Sequence, residues 1–243
     1  ASGYRHRLRL VALRKPDKHY ALGLRRQASR EAVIVGDCPI ADAAVNQLLK
    51  TLPALLDNAP ELQGLREIEI DGDSYGQLGL CCYFAARPGD SALASLKSAV
   101  MIAPVTALRA RLMEPNRSRR EESLEDAGDI TAPRQELHAE GELRLSLALP
   151  TREPDKPGQS KSLELTYRPG DFTQTHWAIN AALVQRALDW LQPAPDEVAL
   201  DLFSGIGNFS LPLAGRAGAV HAIEGDAAMS ERVADNAARN GME

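Results

Sequence analysis

The chain has 243 residues, a length that suits one large domain or two modest ones. Hydrophobic residues make up 44% of it and charged residues 25%, which argues against disordered, collagen-like and membrane-spanning chains. Its first ten residues contain no apolar stretch of the kind that a secretory signal needs. Its three cysteines, two of them adjacent, are not typical of a secreted disulfide framework. We therefore expect a cytosolic protein that contacts no membrane.

Positive charge is concentrated at the amino-terminal end of the chain. Residues 1–30 hold nine Lys or Arg and one Asp, a net charge of +8, so the other 213 residues carry −13 to give the total of −5. Apolar residues alternate with arginines over residues 4–12, which predicts a strand with one basic face, and residues 20–26 are predicted to return as a second strand. Such a face suggests RNA as a partner, although the charged outer side of a solvated strand pair explains it equally well. The candidate RNA contacts are Arg5, Arg7, Arg9, Arg25 and Arg26.

Residues 1–166 are predicted to form an α+β domain with an antiparallel sheet. Apolar residues recur at three- and four-residue spacing over residues 41–58, which predicts an amphipathic helix with Pro53 as a kink. Cys81 and Cys82 lie in an apolar strand, where a free cysteine usually behaves as a small buried hydrophobe. The remaining predicted elements are strands at 67–70, 78–86, 143–149 and 163–167, a helix at 91–100, and exposed loops at 116–125 and 150–160.

The pattern of elements changes near Tyr167. A helix at 177–191 precedes a strand at 198–203, a glycine loop, a helix, a strand at 220–224 and a helix that ends near residue 240. Strands that alternate with helices predict a parallel sheet, so residues 167–243 are expected to be a second, α/β domain. Two parallel strands alone would leave edges and apolar faces exposed.

A glycine loop follows the strand at 198–203, at the end of the strand where open parallel sheets bind ligands. Gly205 and Gly207 let a ligand approach the backbone, Asp201 lies just before the loop, and Glu224 ends the next strand at a spacing that suits an acid binding ribose hydroxyls. Because Ser210 stands where a dinucleotide-binding loop has its third glycine, S-adenosylmethionine fits this pattern better than NAD. A tight turn beside a surface acid is the alternative.

Longer motifs around this loop resemble those of the RNA uracil-5-methyltransferases, in particular the iron–sulfur-containing branch that acts on 23S ribosomal RNA. The resemblance is carried by DLFSGIGNFSLPLA at 201–214 and YRPGDFTQ at 167–174. Two positions depart from the motifs, since Ser204 stands where Cys is usual and His176 where Asn is usual. Shorter similarities lie at 3–7, 22–26, 38–39 and 236–241, and the resemblance is weakest over 61–163.

The resemblance implies that the central α+β domain is followed by the N-terminal part of a Rossmann-like, class I S-adenosylmethionine-dependent methyltransferase domain. It also implies that Cys38 is the last of four cysteine ligands of a [4Fe–4S] cluster, the other three lying upstream. Since one thiolate cannot hold a cluster, we expect the cluster only in a longer parent protein. It further implies that Gln174, Phe203, Asn208 and Glu224 contact the cofactor, with Glu224 on the ribose. Together with the loop residues, the candidate cofactor site is Gln174, Asp201, Phe203, Gly205, Gly207, Asn208 and Glu224.

The chemistry of this family, by resemblance, begins with attack of a cysteine thiolate on uracil C6, after which C5 accepts the methyl group. No cysteine follows Cys82 in the chain. We therefore expect the chain to lack the catalytic residues and to be a piece, truncated at both ends, of an enzyme that methylates uracil C5 in 23S ribosomal RNA. Two alternatives stay open: a parent that acts on transfer RNA, and a noncatalytic RNA-binding fragment.

Overall fold

The structure, a computed structural model, describes residues 2–29, 31–59, 62, 64–113, 135–150 and 160–242. It divides into two compact units. The first consists of Ala1–Gly72, Gly76–Glu142 and Arg168–Gly170, and the second of Asp73–Tyr75, Leu143–Tyr167 and Asp171–Glu243. The loop predicted at 116–125 and most of the one predicted at 150–160 lie outside the described residues.

The first unit is built on a seven-stranded sheet with two helices. Its strand order is β3-β2-β1-β4-β5-β6-β7. All neighbouring pairs are antiparallel except β5 and β6, which are parallel and are connected through α2. The predicted α+β class is confirmed, but the sheet is mixed because the crossover through α2 lets β6 run in the same direction as β5. Its elements are β1 (Arg7–Arg14), β2 (Tyr20–Arg25), β3 (Ala32–Ile34), α1 (Ala43–Asp57), β4 (Leu65–Gly72), β5 (Leu78–Phe84), α2 (Asp90–Val100), β6 (Val105–Leu112) and β7 (Glu136–Glu140).

The hydrophobic core of this unit lies between the apolar face of the sheet and the two helices. Leu8 and Leu10 of β1 are buried on this face, as the predicted alternation requires. Helix α1 begins after Asp42, whose carboxylate accepts a hydrogen bond from the Ala44 amide at 2.8 Å. Its apolar stripe joins the same core, which explains why it packs on the sheet despite Pro53 in its interior. The stripe consists of Val45, Leu48, Leu49, Leu52 and Leu56.

The second unit contains two small sheets and three helices. A parallel pair, β10 and β11, has the register Asp201 opposite Ala222 and Leu202 opposite Ile223, which confirms the predicted βαβ order. An antiparallel hairpin, β8 and β9, packs on α3 and α5. The elements are β8 (Leu143–Pro150), β9 (Ser160–Tyr167), α3 (Trp177–Leu191), β10 (Val198–Leu202), α4 (Ser210–Ala214), β11 (Ala219–Ile223) and α5 (Ala227–Arg239).

The boundary predicted near Tyr167 differs from the division in the structure, where the β8–β9 hairpin lies in the second unit. The hairpin buries Leu145, Leu147 and Leu165, and the backbone of β9 is hydrogen-bonded by side chains of α5. A hairpin of alternating leucines looks alike in sequence whichever unit covers it, so local pattern could not assign it.

One face of β10 is open to solvent in the second unit. Val198, Leu200 and Leu202 are each more than half exposed, while Ala199 and Asp201 between them are partly buried. The exposed apolar face agrees with the expectation drawn from two parallel strands alone. Among the described residues, no helix combines the length and hydropathy required to cross a membrane.

Candidate cofactor site

The glycine loop lies between β10 and α4 and is shaped by two left-handed residues. Gly205 has a φ of +59° and Gly207 a φ of +91°. A Cβ atom added at Gly207 would also meet the end of the Leu211 side chain on α4, which would have to move. Both positions therefore require glycine for conformational reasons, apart from any ligand.

Glu224 follows β11 and closes onto the glycine loop. Its Oε2 accepts a hydrogen bond from the Gly205 amide at 2.9 Å, and its Oε1 accepts one from the Asp226 amide at 3.0 Å. The two residues are 19 positions apart in sequence, so the structure brings together the acid and the loop that the spacing paired. A carboxylate has about four acceptor positions, so each oxygen can accept a further hydrogen bond from a ribose hydroxyl.

Asp201 is held by a residue whose role the sequence analysis missed. The Ser210 hydroxyl, at the start of α4, donates a hydrogen bond of 2.5 Å to Asp201 Oδ2. Ser210 is 4% exposed. The sequence pattern indicates only a departure from a dinucleotide fingerprint at this position. In the structure it ties the end of β10 to the helix that follows the loop.

Asn208 is paired with Asn180 of α3, a second residue that sequence reasoning missed. Asn180 Nδ2 donates to Asn208 Oδ1 at 2.8 Å, and Asn208 Nδ2 donates to Asn180 Oδ1 at 2.9 Å. Asn180 is 2% exposed, so this pair is largely closed to solvent. Half of the hydrogen-bonding capacity of the Asn208 amide is thus used within the protein, and its main role in the structure is to join α3 to the loop.

Phe203 and Gln174 are the least enclosed members of the predicted site. Phe203 has a φ of +63°, unusual for a bulky residue, and its side chain is 88% exposed. Backbone strain of this kind tends to occur at functional sites, and an exposed aromatic ring offers a stacking surface to a ligand. Gln174 is partly buried in the segment before α3, six residues ahead of Asn180.

Sequence comparison relates the whole chain to curated proteins of one function. The chain is 34% identical to 23S rRNA (uracil(1939)-C(5))-methyltransferase RlmD of Pseudomonas fluorescens over 249 residues. The aligned region covers 99% of this chain and 46% of that protein. The protein of the same name from Pseudomonas aeruginosa is 32% identical over 244 residues, with the same shares of both chains covered. The chain is thus similar, over nearly all of its length, to RNA uracil-5-methyltransferases. It spans about half the length of the relatives it matches.

A solved structure supports the fold. The crystal structure of Pyrococcus abyssi tRNA (uracil-54, C5)-methyltransferase in complex with S-adenosyl-L-homocysteine matches with a TM-score of 0.66. The match covers all of this chain and 54% of that one at 16% sequence identity, so it bears on the fold alone. No protein-family model matches the sequence. The predicted fold class, a central α+β domain followed by part of a methyltransferase domain, is confirmed.

The three cysteines of the chain are buried. Cys38 is 8% exposed, and no group of three or more His, Cys, Asp or Glu suited to a metal ion occurs among the described residues. The side chains present therefore do not fit an iron–sulfur cluster. Burial raises the pKa of the Cys81 thiol to about 12 and also raises that of Cys82, which leaves both as thiols rather than nucleophilic thiolates.

The strand arginines predicted to contact RNA have internal partners in the first unit. Arg7 Nε lies 2.8 Å from Glu69 Oε1 and also contacts Asp71, and the Arg7 side chain is 13% exposed. Arg9 pairs with Glu67 at 2.8 Å and stacks over the Tyr83 ring, its guanidinium carbon 4.3 Å from the centroid. Arg7 is therefore part of the buried polar face of the sheet. RNA contact by these arginines stays a prediction.

The other three candidate arginines also have partners within the protein. Arg25 pairs with Glu67 at 2.8 Å, Arg26 pairs with Glu31 at 3.2 Å, and Arg5 Nε donates to the Arg7 carbonyl at 2.9 Å. Burial alone would raise the pKa of Glu67, but its hydrogen bonds to Arg25 and Arg9 outweigh burial and lower it. The Arg25 side chain is 49% exposed and that of Arg26 62%, so both still reach solvent.

Proposed function

We propose that this chain is part of an enzyme that transfers a methyl group from S-adenosylmethionine to C5 of a uracil in 23S ribosomal RNA. The names of the Pseudomonas relatives support the substrate and the reaction. The observation that carries the proposal is the closure of Glu224 onto the Gly205 amide, because it sets a ribose-binding acid against a glycine loop. Modification of ribosomal RNA would place the protein in the cytosol.

The cofactor would supply an activated methyl group, and the second unit holds the residues proposed to bind it. Glu224 would accept hydrogen bonds from the ribose hydroxyls through the free acceptor positions of its carboxylate. The exposed ring of Phe203 would cover an adenine face, and Asp201 would lie near the cationic methionine end. Gln174, Gly205, Gly207 and Asn208 complete the proposed site.

Methyl transfer by the cysteine route needs a thiolate at the base. Cys38, Cys81 and Cys82 are all buried, and the pKa of each of the last two is raised by burial. Because all three thiols are buried, we propose that residues 1–243 bind cofactor and RNA but do not by themselves catalyse the transfer. The [4Fe–4S] cluster belongs, in this proposal, to a longer parent protein.

Calorimetric titration of the 243-residue chain with S-adenosylhomocysteine tests the cofactor proposal. We expect saturable binding with one site per chain. NAD is the matched control ligand, and it should give no heat of binding because the third glycine of a pyrophosphate cradle is replaced by Ser210. Binding of NAD in place of S-adenosylhomocysteine, or of neither, would reject the cofactor proposal.

RNA binding by the first unit is a second candidate function, favoured by the +8 charge of residues 1–30. Fluorescence anisotropy with a short, uridine-containing single-stranded RNA should show affinity that falls steeply between about 50 and 200 mM salt. Arg26→Ala is expected to weaken binding several-fold and to reduce the salt slope by about one. Arg87→Ala, an equal loss of charge at an exposed site in the same unit, is the control. Equal effects of the two substitutions would contradict a specific role for the amino-terminal arginines.

A further inference from the structure

Asn236 of α5 has a side-chain amide that is fully buried and fully hydrogen-bonded. Its Oδ1 accepts from the Thr166 amide at 2.8 Å and from the Thr166 hydroxyl at 3.0 Å. Its Nδ2 donates to the Thr166 carbonyl at 3.1 Å and to the Ile206 carbonyl at 2.9 Å. The exposed fraction of Asn236 is 0%. All four hydrogen-bonding positions of the amide are therefore used.

The bonds to Thr166 belong to a repeated contact between α5 and β9. Asn240, one helical turn later, accepts from the Glu164 amide at 3.0 Å and donates to the Glu164 carbonyl at 2.8 Å. A step of four residues along a helix is about 6 Å, and a step of two residues along a strand is about 6.8 Å. The two asparagines therefore lie opposite alternate residues of β9. Their side chains bond the backbone N–H and C=O groups that a further strand at this edge would bond.

Of these two asparagines, Asn236 is the one whose hydrogen bonds reach the glycine loop among the described residues. Ile206 lies between Gly205 and Gly207, and its side chain is 2% exposed. Glycines at positive φ on both sides give this segment little intrinsic preference for one conformation. A hydrogen bond from a buried and fixed amide to the Ile206 carbonyl restricts the orientation of the Ile206–Gly207 peptide.

We infer that Asn236 is a positioning residue, which orients the glycine loop so that its backbone and Glu224 meet the cofactor. Its amide ties the Ile206 carbonyl to the β8–β9 hairpin through α5. Asn240 ties the same hairpin to the same helix without any contact to the loop. This inference rests on the proposed binding of S-adenosylmethionine to the loop.

Asn236→Ala and Asn240→Ala form a matched pair, since each removes side-chain bonds between α5 and β9. We expect both to lower the urea midpoint of the second unit. Asn236→Ala should also raise the dissociation constant for S-adenosylhomocysteine about tenfold or more, the size expected for one buried hydrogen bond, while Asn240→Ala should change it less than about threefold. Equal effects of the two substitutions on affinity would overturn the inference.

Asn236→Asp provides a second variant of nearly the same shape. It keeps an oxygen that accepts from the Thr166 amide and hydroxyl, but it places a second oxygen against the Thr166 and Ile206 carbonyls in place of the donor. We expect faster amide hydrogen exchange at Gly205 and Gly207, with less change in the hairpin amides. Unchanged exchange in the loop would contradict the positioning role. Because exchange is measured without ligand, it tests this role even if the wild-type chain fails to bind S-adenosylhomocysteine, which would reject the proposed function separately.

Discussion

Replacement of Glu224 by alanine is expected to abolish measurable binding of S-adenosylhomocysteine. Two ribose hydroxyls would lose a charged acceptor, and each hydrogen bond to a charged group contributes about 1.5–3 kcal/mol. The expected loss is thus at least about a hundredfold in affinity, since every 1.4 kcal/mol is about tenfold. The Gly205 and Asp226 amides would also lose their acceptor, which would loosen the loop itself.

Calorimetry on three variants separates these contributions. Glu224→Gln keeps one carbonyl acceptor and should bind more weakly than the wild type but more tightly than Glu224→Ala. Glu231→Ala removes the same charge from an exposed position of α5 and should bind as the wild type does. Wild-type affinity in Glu224→Ala would show that the cofactor, if bound, lies elsewhere.

Arg7→Met is expected to lower the stability of the first unit much more than Arg26→Met does. The substitution leaves the Glu69 and Asp71 carboxylates, whose side chains are 7% and 2% exposed, without their shared cation. Removing one partner of a buried ion pair costs about 3–5 kcal/mol because the remaining charge stays desolvated. Arg26→Met, at a pair whose side chains are more than 60% exposed, should cost no more than about 1 kcal/mol.

The stability loss in Arg7→Met should depend on pH. Burial raises the pKa of Asp71 to about 6, although the charge and hydrogen bond of Arg7 act to lower it. A carboxyl with a raised pKa in the folded state adds stability at low pH, and that contribution is lost as pH rises through its folded pKa. Without Arg7 the pKa rises further, so the deficit relative to the wild type should be large at pH 8 and smaller at pH 5.

Amide hydrogen exchange in β4 measures this deficit in the first unit. Tryptophan fluorescence would not, because both tryptophans, Trp177 and Trp190, lie in the second unit and report on the unfolding of that unit. An equal deficit at pH 5 and pH 8 would contradict the assignment to buried carboxylates. A deficit in Arg7→Met no larger than that in Arg26→Met would show that the buried ion pair is not needed for stability.

The periodicity of apolar residues predicted most of the helices and strands, because this periodicity is set by residues that are neighbours in the sequence. The predicted helix at 177–191 has the bounds of α3, and strand 198–203 differs from β10 by one residue. Strands β3, β6 and β7 were missed, since β3 is three residues long and the arginines of β6 alternate with small residues. Without β6 the parallel β5–β6 pair could not be foreseen, so the sheet was predicted as antiparallel.

Some residues of the candidate site were predicted from local sequence pattern, and others were found only from tertiary contacts. The glycine loop and Glu224 were predicted because their chemistry appears in a short motif and a fixed spacing. Asn180 and Asn236 were not, since each acts through a partner far away in the chain: Asn180 lies 28 residues from Asn208, and Asn236 lies 70 from Thr166. Buried asparagines on helices resemble surface asparagines in sequence, and only the fold shows which are enclosed.

The amino-terminal arginines show most clearly what the sequence pattern alone cannot predict. The sequence alone determined that arginines occupy one face of the first strand, because side chains alternate along any strand. Which carboxylates that face meets was decided by the tertiary structure, which pairs Arg9 with Glu67 across 58 residues and Arg7 with Asp71 across 64. The physical reason is that the residue type fixes the sign of a charged side chain, whereas its partner depends on which distant strand the sheet places beside it.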